Sequence, residues 1–129
     1  MKKLNLMMLF VGLLFCISCQ DAELTLGEEG LDCGSSSKVV KKVKNQEGRL
    51  LYSEAEKRHI IVVTVPNTID SQDVGVICNV PEEIDTSNLN GSGMMVVFSG
   101  KYKTYDKTPA QMFGGDTYYY LIVDKIKTK

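Results

Sequence analysis

Hydrophobic and polar positions divide the chain into three unequal stretches. Leu6 to Ile17 is an apolar run broken only by Gly12, with Lys2 and Lys3 ahead of it. That is the length of a signal-peptide h-region and too short for a membrane span. Gln20 to Ser37 follows, rich in Gly, Ser and acid and without periodicity. It predicts a flexible segment whose eighteen residues span on the order of 20–25 Å r.m.s.. From Lys38 onward short apolar runs alternate with turn clusters, and no long helical periodicity is present.

The third stretch predicts strands. Val39, Val40 and Val43 lie among lysines, and Asn45-Gln46-Glu47-Gly48 predicts a turn before Arg49-Leu50-Leu51-Tyr52. Ser53 to Lys57 is a polar reversal. His59 to Val65 is β-branched almost throughout, the pattern of a strand buried on both faces. Val74, Val76, Cys78 and Val80 alternate with other residues, so Cys78 falls on an apolar face. Pro81-Glu82-Glu83 predicts a brief helical turn. Met94 to Tyr105 carries the longest strand signal, with Met94, Val96, Phe98 and Tyr102 on one face and a bulge expected at Gly100. Thr108 to Met112 predicts a short helix with proline at its first position. Thr117 to Lys127 closes the chain as a strand. These elements predict a mainly β fold, a small antiparallel barrel beginning near Ser37, with one or two short helical turns and with Ile61, Val76, Val96 and Phe98 in its core.

The apolar run ends at Cys16-Ile17-Ser18-Cys19, where small Ser18 precedes Cys19. This resembles a bacterial lipoprotein signal, although leucine is usual where Cys16 stands. The resemblance implies cleavage after residue 18, acylation of Cys19 and a lipid-anchored envelope protein, expected at the outer membrane. The organisation expected is a signal over 1–18, a lipidated tether over 19–36 and a barrel over 37–129. Asp21 and Glu23 resemble the surface-export signals of Bacteroidota lipoproteins, and a plain solvated linker has the same composition. Val80-Pro81-Glu82-Glu83, Val97 to Lys101 and Tyr119 to Ile126 are similar to segments of small Bacteroidota lipoproteins. That resemblance implies an OB-like barrel and brings no catalytic residue with it.

Cleavage would take two of the 15 Lys+Arg and none of the 16 Asp+Glu, leaving a formal net charge of −3. Such a balance speaks against nucleic acid as a partner. Of four cysteines, Cys33 and Cys78 then remain, a candidate disulfide in an exported chain.

Little catalytic chemistry is legible. His59 is the sole histidine, so any Ser-His or Cys-His scheme must pass through it. No spacing supports a zinc site. Gly91-Ser92-Gly93 lacks the third glycine and the following helix of a dinucleotide fingerprint. The acid pairs Glu28-Glu29 and Glu82-Glu83 fall in linker and turn. No enzyme, metal or cofactor is therefore expected. Lys101, Tyr102, Lys103, Tyr105, Tyr118, Tyr119 and Tyr120 place rings beside cations, as ligand faces of OB barrels do. The same tyrosines also read as core and cross-strand pairs. The function expected is a binding module for a small ligand or glycan. The alternative is a protein-interaction module, either an accessory subunit of an envelope complex or an inhibitor of a secreted hydrolase.

Overall fold

The computed structural model describes residues 33, 34, 36–87, 89, 91–110 and 113–129. The signal, Cys19 and most of the tether lie outside these residues. Five strands, β1 (Val39–Ser53), β2 (Arg58–Thr64), β3 (Gln72–Ile77), β4 (Met94–Thr104) and β5 (Asp116–Thr128), close in the order β1-β2-β3-β5-β4. The chain is thus all-β among its described residues and forms a small, closed, OB-like barrel.

Alternation along each strand builds the interior. Ile61 and Val63 of β2 point inward, as do Leu50, Val96, Phe98, Tyr102, Leu121, Val123 and Ile126. Gly75 on β3 leaves room for the Tyr102 ring, whose edge lies 3.2 Å from where a Cβ would stand. Closure needs bends, and bulges supply them. β5 is offset against β4 between Ser99 and Gly100, where any Cβ at Gly100 would collide with the Ile122 carbonyl. β1 is offset against β4 between Val43 and Gln46, with Asn45 at φ 50°.

Four sequence expectations change. The Asn45–Gly48 turn is a bulge inside one continuous strand, because a left-handed Asn45 bends β1 without reversing it. The barrel is not purely antiparallel. β5 runs antiparallel to β4 and parallel to β3, since a strand that fills the gap between them cannot oppose both. No helix occurs among the described residues. Pro81 instead accepts a bond from the Ile84 amide at 3.2 Å, a turn that brings Ile84 into the core. Of the short helix expected over 108–112, the described residues 108–110 are irregular, and Gln111 and Met112 lie outside the description. Finally, Val76 is buried but not in the barrel interior. It lies with Ile60 and Val74 in a second apolar layer on the outer side of the sheet.

Cys33 and Gly34, read from sequence as tether, are fastened to the barrel. Cys33 and Cys78 are disulfide-bonded with their Cα atoms 5.8 Å apart. The Lys103 ammonium donates to the Cys33 and Gly34 carbonyls at 3.1 and 2.9 Å.

Candidate functional site

The outer layer explains where a ligand can go. Two cross-strand rows run over β1, β2, β3 and β5: Leu51, Ile60, Val76 and Tyr120, then Arg49, Val62, Val74 and Tyr118. Tyr105 and Asp106, at the start of the β4–β5 connection, cover Tyr120 in the first row. Tyr105 packs on Tyr120 at 4.7 Å and on Tyr118 at 5.9 Å between ring centroids. The Tyr120 hydroxyl donates to the Asp106 carboxylate. Glu56, in the β1–β2 turn, accepts the Tyr105 hydroxyl at 2.9 Å and the Ala110 amide at 2.7 Å.

Beyond this clasp lies a groove of about 720 Å³, floored by Leu51 and Ile60 of the first row and Val62, Val74 and Tyr118 of the second. Ser53 and Glu54 stand at one end and Gln72 and Asp116 at the other. Two apolar side chains line its margins while still exposed, Phe113 at 60% and Met95 at 43%. Burial raises the Tyr118 hydroxyl above the ordinary tyrosine range, and the charges of Asp116 and Glu56 add to that. The groove offers an apolar floor and hydrogen-bonding rims.

The seven residues expected to form one ligand face do not share a surface. Tyr102 is 1% exposed and Tyr120 is fully covered. Tyr102 turns into the barrel because it alternates in phase with Phe98, and Tyr120 is sealed outside by Tyr105 and Asp106. Tyr119 is half-buried against the inner core. Lys103 is spent on the 33–34 carbonyls and Tyr105 on Glu56. Lys101 lies on a different outer face, opposite Lys42. Only Tyr118 lines the groove.

A lysine does meet aromatic rings, but it is Lys41. Its ammonium pairs with Asp73 and sits 4.6 Å from the Tyr102 ring centroid and 5.3 Å from that of Tyr119. This set stoppers one end of the barrel with its own cation. His59 meets Tyr52 edge-on at 5.2 Å. Among the described residues no group of three or more His, Cys, Asp or Glu is placed to hold a metal ion.

The signal for the groove was present in β2. A run apolar on both faces needs cover on both, and only part of the outer cover exists, so Val62 remains half-buried. Phe113 and Glu56 gave no comparable signal, because connections carry no periodicity. Fold and groove together define a small OB-like barrel with an open outer-face recess. No protein-family model matches the chain, and no curated protein matches it.

Proposed function

We propose that this protein is a non-enzymatic binding module of the bacterial cell envelope, held at the outer membrane by an acylated Cys19, with a small ligand or glycan in the outer-face groove. The groove itself carries this reading. It lies on the β2–β3 face between the β1–β2 and β4–β5 connections, the region that OB barrels use for oligosaccharides and single strands. Its floor suits the apolar face of a sugar ring or similar small molecule, and its rim supplies groups for hydroxyls. Glu47, Glu54 and Asp116 outnumber Arg49 among the lining residues, which disfavours a polyanion there.

A second reading, contact with a protein partner, is favoured by the exposure of Phe113 and Met95 at the groove margins. Exposed apolar groups beside a recess are what a partner's side chain would cover. A glycan array run beside a pull-down from envelope extract separates the two. Array binding lost on Val62→Lys, with the β circular dichroism spectrum intact, supports the ligand reading. A clean array with one stoichiometric protein partner, released by Phe113→Ala, replaces it with the second. Turnover of any substrate that depends on His59 defeats both.

A further inference from the structure

Net charge hides how the lysines are sorted. The register of β1, β4 and β5 sets Lys42 directly opposite Lys101, Lys125 opposite Ser99, and Lys127 opposite Val97. Lys44 stands in the bulge beside Ser99, where the Asn45 amide donates to the Ser99 hydroxyl. Lys42, Lys44, Lys101, Lys125 and Lys127 therefore share one outer face. Among the described residues the acids there are Asp124, in the β5 bulge, and Glu47, which already pairs with Lys129 at 2.8 Å. Glu54, Asp70, Glu82, Glu83 and Asp116 lie elsewhere, in turns, connections and the groove end.

Lysines scattered over exposed strands need no special explanation. Two features of this face do. Like charges directly opposite on paired strands destabilise a sheet, so the Lys42–Lys101 juxtaposition is not what stability alone would choose. The chain also enters the barrel at the margin of this face. Lys103, two residues beyond Lys101 on the same side of β4, binds the Cys33 and Gly34 carbonyls, and Cys33 is fastened to Cys78.

We infer that the outer face of β1, β4 and β5 is a docking surface for anionic lipid headgroups, which lays the barrel against the bilayer. The inference rests on the envelope-anchored reading. From Cys19 to Cys33 is fourteen residues, about 20 Å r.m.s. as flexible chain. An anchor at Cys19 thus keeps the lysine face close to the headgroups, where tethering raises its effective concentration. Lysines are independent point charges without a fixed hydrogen-bonding fork, which suits a fluid array of phosphates better than one rigid ligand. The recess on this face is also small, about 210 Å³. Each lysine near an anionic surface adds roughly five-fold to partition, and salt screens the effect.

The test uses the mature chain, residues 19–129, with Cys19→Ala so that no acyl chain contributes. Co-sedimentation is measured with phosphatidylglycerol/phosphatidylethanolamine vesicles and with neutral phosphatidylcholine vesicles. The expected result is binding to the anionic vesicles alone, lost as salt rises and weakened at least about ten-fold by Lys42→Glu. That variant faces Lys101, so it forms a cross-strand ion pair and its melting temperature should not fall. Lys57→Asp, in the β1–β2 turn at φ 54°, where aspartate is tolerated, should leave binding unchanged. Equal binding to neutral vesicles, indifference to Lys42→Glu, absence of binding, or preference for an acidic polysaccharide over the vesicles would each overturn the inference. The anchor is read separately: intact mass of membrane-extracted protein shows whether Cys19 is acylated, whatever the vesicles show.

Discussion

The Tyr105 hydroxyl donates to Glu56 across 2.9 Å and so joins the β4–β5 connection to the β1–β2 turn. The second oxygen of the same carboxylate takes the Ala110 amide. One acidic side chain therefore holds both ends of the clasp beside the groove. Glu56→Ala should loosen the 105–110 segment while leaving the barrel closed, at about 1–2 kcal/mol for partly exposed bonds to a charged acceptor. Hydrogen exchange reads this directly. The Ala110 amide should lose protection in the variant and the Ile61 amide should not. Equal loss at both positions would mean that the carboxylate supports the whole fold.

Alkali provides a second reading of the same clasp. Burial pushes the Tyr102 hydroxyl far above the ordinary tyrosine value of 10.0, and the Asp73 charge and Tyr119 add to it. Tyr105 is raised as well, first by burial and then by its bond to Glu56. A folded-state value above the unfolded one means that the stability each group contributes is intact below about pH 10 and is lost as pH climbs through the folded value. Stability should thus be flat on the acid side of pH 10 as far as these phenols are concerned, and fall above it. Tyrosinate absorbance should show part of the tyrosines ionising early and the remainder only with unfolding. A single early titration of all six would contradict the placement of Tyr102 and Tyr105.

Much of the barrel was legible because strands announce themselves by period. Val96, Phe98 and Tyr102 alternate in phase, and all three point inward. Gly100 was legible as a bulge for the same reason, as the small residue that breaks an apolar face. The parallel β3–β5 pairing was not legible, since pairing partners far apart in sequence leave no local trace. The site was less legible still. Tyr102 and Tyr105 look equivalent in Lys101-Tyr102-Lys103-Thr104-Tyr105, yet one is barrel core and the other is clasp. What separates them is the end of β4 at Thr104, after which alternation no longer predicts orientation. The lysine face was invisible to net charge, because sorting by face is a property of register.

Two apolar layers should respond differently to truncation. Phe98 is 1% exposed at the centre of the barrel, so Phe98→Ala should cost about 3–5 kcal/mol and lower the denaturation midpoint throughout. Val76 lies beneath Tyr105 in the outer layer, and Val76→Ala should cost about 1–3 kcal/mol. Hydrogen exchange at Ala110 should rise in the second variant before global unfolding, as the cover over the outer layer loosens. Equal and purely global effects in denaturant and exchange would mean that the layers unfold as one unit.

The disulfide makes the sharpest prediction about where the folded domain begins. Cys33 and Cys78 are 45 positions apart, and the chain-entropy relation assigns a loop of that length about 4 kcal/mol. Only part of this should be lost on reduction, because the Lys103 bonds to the Cys33 and Gly34 carbonyls still hold 33–34 in place. Cys33→Ser with Cys78→Ser should therefore lower stability by about 2–4 kcal/mol while the β circular dichroism spectrum persists, since the bridge closes no strand pair. Adding Lys103→Met to that pair should then free the segment completely. Proteolysis would show it, with cleavage near Ser36 appearing in the triple variant, weaker in the double and absent in the parent. Equal cleavage in parent and triple variant would mean that residues 33–37 belong functionally to the tether and that the domain starts at β1.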